Sequence, residues 1–323
     1  MSGPVLLSYG FDANGGGMAL VGDAISQQIR DAKLAWVHLD VNNPETKPWL
    51  EKEVSYLDPF VVDALMADET RPRITEIDDG ALIILRGVNL NENASPEDMI
   101  SIRLWVDSHR IISLQKRQLK AVFDIEERIV AGRGPKDAGQ FVCSLVSRLF
   151  ERMEPVLTDL DEDTDNVEEK ILENPDMSLR ESIINIRKQA IVLRRYMAPQ
   201  KDAIGQLRSS DLVWLSVGDK RHLQENYDRV LRYVEDLDAI RERAQIVKDE
   251  LANILSDRLN KNMYVLSVIA AIFLPLGFLT GLLGINVGGI PGAEDGYAFW
   301  VFCGMLIVLV GFQIFLFKKL KWF

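Results

Sequence analysis

Two runs of 21 residues, 263–283 and 297–317, contain no Asp, Glu, Lys, Arg or His. As helices rising about 1.5 Å per residue, each is about 31 Å long, which matches the hydrocarbon core of a bilayer. All 37 basic and 48 acidic residues are confined to the rest of the 323-residue chain. The averages, 47% hydrophobic and 26% charged, would suit a soluble protein, but this segregation excludes one.

A formal net charge of −11 with no basic stripe argues against a nucleic-acid partner. Of the two cysteines, Cys143 and Cys303, the second lies inside an apolar run, so a disulfide-stapled secreted domain is excluded. Residues 1–12 lack the basic and continuous apolar regions of a signal peptide. The roughly 260 residues before the first run are therefore expected to stay where they are synthesised. Arg258 and Lys261 precede the first run, and Lys318, Lys319 and Lys321 follow the second. The connecting residues 284–296 carry Glu294 and Asp295 but no Lys or Arg. Positive flanks face the cytoplasm, so both termini are expected there, with the short loop outside. Tyr297, Trp300 and Trp322 suit the membrane interfaces.

The N-terminal region reads as α/β. Residues 34–40 form a compact apolar segment, and 81–88, 100–106 and 110–115 are β-branched-rich runs. Turn formers such as Asp78-Asp79-Gly80 and residues 91–96 divide them, and helices are expected near 48–55 and 59–67. Gly15-Gly16-Gly17 reads as a hairpin loop, because the strand-to-helix context of a phosphate site is missing. After Gly132-Arg133-Gly134-Pro135 the pattern turns helical, with antiparallel helices at 137–172 and 177–204 joined by Asn174-Pro175-Asp176. The expected whole is an α+β membrane protein: a cytoplasmic α/β domain at 1–134, a cytoplasmic helical and stalk region at 135–262, a two-span membrane domain at 263–317 with its outer loop at 284–296, and a basic cytoplasmic tail at 318–323.

An acidic run, Asp159, Asp161, Glu162, Asp163, Asp165, Glu168 and Glu169, has two readings: a solvated helix face, or a field that concentrates cations. It is not an EF-hand loop, since the sixth-position glycine is absent. Further on, Leu223, Tyr227, Val230, Val234, Leu237, Ile240, Ala244, Val247, Leu251 and Ile254 recur at gaps of three and four, a coiled-coil-like seam. No Pro or Gly interrupts residues 219–264. One stalk helix of about 60 residues is expected to continue into the first span, and it must pack against others to be stable.

Two positions on, about 200° round that helix, the sequence reads Asp249, Asn253, Ser256, Asn260, Met263, Ser267, Ala270, Leu274, Gly277, Gly281, Gly284. Polar residues give way to small ones. This stripe is either a water-facing line or, at Gly277 and Gly281, a small-xxx-small contact between packed helices. The second reading leaves Asn253, Ser256, Asn260 and Ser267 on the same line unexplained. Pro275 frees the Ala271 carbonyl, and a packing kink and a gating hinge fit it equally.

The first run ends Leu283-Gly284-Ile285-Asn286 and continues Val287-Gly288-Gly289-Ile290-Pro291-Gly292. With a long cytoplasmic helix, two C-terminal spans and a basic end, this Gly-x-Asn resembles the CorA family of divalent cation channels. Ile285 stands where that family usually has Met. The continuation is similar to the zinc-transporting, ZntB-like branch, and Arg71-Pro72-Arg73-Ile74 with Asp78-Asp79 and residues 81–86 is similar to the family's soluble domain. The resemblance implies a homopentameric funnel in a bacterial inner membrane, with the first span lining the pore and the second facing lipid. It implies an outer selectivity ring of Gly284, Ile285 and Asn286, and a pore lined by the stripe from Asp249 to Gly281. It also implies zinc transport linked to protons and no cofactor beyond the transported ion. Neither span, however, holds an acidic, basic or His side chain to relay a proton.

A ring of Asn286 carboxamides would offer neutral acceptors to the water shell of a divalent ion, binding it weakly enough for release. From the residues alone, Asn286 as a left-handed helix cap is equally consistent. Glu294 and Asp295 would raise the cation concentration at the mouth, and Met263 and Leu274 are candidate dewetting constrictions. A dehydrated zinc site needs clustered His and Cys, whereas His38, His109 and His222 are scattered and read as structural or surface residues. Ligand chemistry alone thus favours a hydrated ion such as magnesium, and the loop resemblance favours zinc. The rival functions are a magnesium, cobalt or nickel channel and a membrane-tethered scaffold or sensor. No catalytic constellation points to an enzyme.

Overall fold

The computed structural model describes residues 3–12, 14–31, 33–68, 71–284, 290, 292 and 294–320. It divides into two units, Met1–Asp249 and Glu250–Phe323. The first unit contains β1 (Val5–Phe11), β2 (Gly17–Ala19), β3 (Ala35–Asp40), β4 (Arg73–Ile77), β5 (Gly80–Gly87), β6 (Ile100–Val106) and β7 (Arg110–Gln115). They form one sheet in the order β2-β1-β3-β7-β6-β5-β4. β3 and β7 run parallel, and the other neighbouring pairs are antiparallel.

Alternation along the strands makes two cores. Ala35, Val37 and Leu39 of β3, Leu82 and Ile84 of β5, and Ile112 and Leu114 of β7 share one core with α1 (Asp23–Arg30), α2 (Thr46–Glu53) and α3 (Pro59–Met66). Trp36, Ile83 and Ile111, one position off in register, are buried too. On their side Trp36 meets Phe141 of α5 (Ala138–Glu173), with ring centroids 5.0 Å apart. Because both faces are covered, the central strands read as continuous apolar runs. Each fully buried Leu, Ile or Val contributes roughly 1.5–3 kcal/mol.

The runs expected at 34–40, 81–88, 100–106 and 110–115 correspond to β3, β5, β6 and β7, and the helices near 48–55 and 59–67 to α2 and α3. Gly15-Gly16-Gly17 does connect a hairpin, β1 to β2. Gly15 sits at φ 90°, and its carbonyl accepts from Gly134 N at 2.7 Å. A Cβ there would lie 2.7 Å from the Gly134 carbonyl oxygen, so only glycine fits this approach. β4, α1 and α4 (Lys120–Val130) occupy segments where no element was expected, and β1 and β2 flank the hairpin loop without strand bounds having been read for them.

α6 (Leu179–Ser209) follows α5, as the pattern at 137–172 and 177–204 anticipates. It also closes the sheet edge. β4 covers β5 only as far as Ile84. Beyond that, Gln200 of α6 accepts from Arg86 N at 2.6 Å and donates to Arg86 O at 3.0 Å. α7 (Val217–Gly284) starts from a reciprocal capping box: Asp219 N donates to Ser216 Oγ at 3.2 Å, and Ser216 N to Asp219 Oδ2 at 2.9 Å. Its seam is buried at Leu223, Val230, Val234, Leu237, Ile240 and Ala244. Tyr233 donates to Phe150 O of α5, and Arg194 of α6 pairs with Asp238 at 2.6 Å. The second unit consists of residues 250–284 of α7 and α8 (Ala298–Lys319), with α7 and α8 each holding a stretch long and apolar enough to cross a membrane.

Candidate functional site

Residues 250–284 of α7 bury little surface against α8. Val268 is buried, Ala271, Ile272, Leu276 and Leu279 are partly covered, and on α8 Gln313 and Phe317 are buried. This covered side lies about 150° round the helix from the small and polar stripe. Asn253, Ser256, Asn260, Met263, Ser267, Ala270, Leu274, Gly277, Gly281 and Gly284 are all exposed. A Cβ added at Gly277, Gly281 or Gly284 would meet no heavy atom within 4 Å, so within one chain these glycines make no close contact with α8. Phe273 and Phe278 are exposed as well. What distinguishes the stripe is its chemistry rather than its accessibility. Asp249, at the end of the first unit, is exposed and accepts from Gln245 Nε2 at 2.9 and 2.8 Å.

Pro275 has no amide to offer the Ala271 carbonyl. Gln313 of α8 supplies one instead, its Nε2 lying 3.3 Å from that oxygen. Thr280 donates back to the carbonyls of Leu276 and Gly277, at 2.9 and 3.1 Å. Gly284 is the last residue of α7, and Ile285 and Asn286 lie outside the described residues. In the loop Glu294 is exposed. Asp295 Oδ1 accepts from Tyr297 N at 3.0 Å, and its carbonyl from Ala298 N at 3.0 Å, so this residue also turns the chain into α8.

The acidic run of α5 is partly neutralised. Arg243 of α7 donates to Asp161 Oδ1 at 2.9 Å and to Glu168 Oε1 at 2.9 Å, and it also bonds Asp165. Hydrogen bonds to Glu168 and then Asp165 hold its guanidinium pKa above the usual value. Asp159, Glu162, Asp163 and Glu169 remain exposed.

His38 is fully buried, with Nδ1 2.7 Å from Ser113 Oγ, which also accepts from Trp36 Nε1 at 2.7 Å. Burial pushes its pKa down to about 4. His109 and His222 are exposed, and no three His, Cys, Asp or Glu gather to hold a metal among the described residues. The Cys143 thiol is buried, which pushes its pKa up to about 12 and keeps it protonated. Pattern reading singled out neither Gln313 nor Arg243. The available signals were a lone amide in an apolar span and an arginine beside the seam residue Ala244, matched to an acidic helix.

These features define a class: a two-span membrane protein in which an α/β unit and a long helix precede the spans. Comparison with known proteins narrows it. Residues 31–319 match the family described as CorA-like Mg2+ transporter protein. The chain is 37% identical over 315 residues to the zinc transport protein ZntB of Pectobacterium carotovorum, covering 98% of this chain and 95% of that one. It is 38% identical over 325 residues to the divalent cation transporter CmaX of Pseudomonas aeruginosa, covering 98% and 96%. The solved structure of full-length CmaX superposes with a TM-score of 0.86 at 36% identity, covering 99% of this chain and 98% of that one. The chain belongs to the CorA family.

Proposed function

We infer that this chain carries divalent metal cations, zinc foremost, across a bacterial inner membrane through a path lined by the α7 stripe. The observation that carries the reading is the chemistry of the exposed α7 stripe from Asn253 to Gly281, small or polar except at Met263 and Leu274. The relatives' names, a zinc transport protein and a divalent cation transporter, support the cargo. A hairpin of two helices cannot enclose water, so copies must assemble, and the family resemblance implies five. The charges flanking 263–317 support cytoplasmic termini, with residues 1–262 on that side.

In this reading Gly284, Ile285 and Asn286 form the outer ring, and the Asn286 carboxamides accept bonds from the ion's water shell. Glu294 and Asp295 concentrate cations at the mouth. Met263 and Leu274 narrow the path with apolar side chains that close it by dewetting. A proton-linked cycle has to use groups outside the spans, which contain no Asp, Glu, Lys, Arg or His. The lack of a His/Cys cluster among the described residues suits an ion that keeps its water, and it favours magnesium as the second reading.

Purified protein in vesicles tests the reading, with zinc and magnesium supplied separately and in competition. Zinc uptake is expected in the wild type, and much less in Asn286→Ala at matched incorporation. Equal uptake by both would remove the ring, magnesium uptake indifferent to zinc would favour the second reading, and uptake of neither would leave a tether.

A further inference from the structure

In an α-helix the amide of residue 275 takes the carbonyl of residue 271, and here residue 275 is proline. An unpaired carbonyl in an apolar medium is costly, and lipid tails cannot replace the lost bond. The second span provides the donor, with Gln313 Nε2 3.3 Å from Ala271 O. Gln313 is the lone carboxamide of α8 and is only 8% exposed. A buried amide in a membrane helix is destabilising unless it is bonded. Its Oε1 has no partner among the described residues, so the Ala271 carbonyl is what fixes the amide's orientation. The reversed amide would set two oxygens against each other.

We propose that Gln313 stands in for the amide missing at Pro275 and is a positioning residue, pinning the proline break of α7 to α8 so that Leu274 and Gly277 keep their alignment on the stripe. The consequence for transport rests on the functional reading above, whereas the pin itself does not. The chemistry makes the role conditional. In Pro275→Ala the backbone recovers its own donor to Ala271, and Gln313 becomes redundant.

Four full-length proteins decide it: wild type, Gln313→Leu, Pro275→Ala and the double variant, purified in detergent and reconstituted in vesicles. In the wild-type background Gln313→Leu is expected to lower the melting temperature of the purified protein by about 2–4 °C. It is also expected to change zinc flux by about threefold, as befits one interhelical hydrogen bond. In the Pro275→Ala background the same substitution should change neither. If Gln313→Leu fails to accumulate while the double variant accumulates, that rescue supports the pin. Equal losses in both backgrounds, or failure of both proteins, would mean that Gln313 acts only by packing and would overturn it. Should wild type carry neither zinc nor magnesium, the transport reading falls while the melting comparison still decides the pin.

Discussion

At His38, burial makes the charged imidazole costly, and the folded-state pKa of about 4 lies below the value near 6.5 expected of an unfolded chain. Between those values the unfolded chain holds the extra proton, so stability rises with pH across the window. The contribution is complete above about pH 6.5 and is lost as pH falls toward 4, up to about 3 kcal/mol. Melting of the full-length protein at pH 7 and pH 5 should therefore show a larger acid-induced drop in wild type than in His38→Gln. Equal drops would assign the acid sensitivity to other groups. The sequence placed His38 among structural residues, but Ser113, 75 positions away, becomes its neighbour only through the parallel β3–β7 pairing. Likewise Asn286, the residue on which the ring reading turns, was legible as a motif and lies outside the described structure.

Periodicity revealed those elements whose burial is complete and sustained. The α7 seam and the strands β3, β5, β6 and β7 were readable because each packs a whole face or both faces. β1 and β4 escaped because edge-side strands keep polar residues such as Ser8 and Glu76 among the apolar ones. α4 has legible helical spacing at Val122, Ile125 and Ile129, and α1 is too short at eight residues to stand out. The start of α7 was blurred by Gly218, which counts for less than the Ser216–Asp219 box. That box also sets the joint with α5. A Cβ at Gly139 would lie 2.4 Å from Asp219 Oδ2 and 2.8 Å from Trp214 O. Gly139→Ala is accordingly expected to destabilise the protein by about 1–3 kcal/mol through overpacking. Chemical denaturation of the full-length protein checks this, and an unchanged midpoint would show that the joint has slack.

For the whole molecule, the apolar surface of the two spans and the open stripe call for different surroundings, lipid for Phe273 and Phe315 and, in the proposed reading, a wet path for Asn253 and Ser267. One chain cannot provide both, so the need for several copies was legible from the two spans alone, whereas their number, five, came only from the family resemblance. The mass of the detergent-purified protein, with bound detergent subtracted, is expected to correspond to five copies; a monomer or dimer would leave no enclosed conduit. Self-association also needs a limit elsewhere. Bare strand backbone is a template on which any copy of the same strand can pair, and such pairing adds units without closing. By occupying both backbone groups of Arg86, the Gln200 amide removes that template where β4 stops short. An assembly of the proposed kind, fixed in number within the membrane, is thereby kept from polymerising through the end of β5.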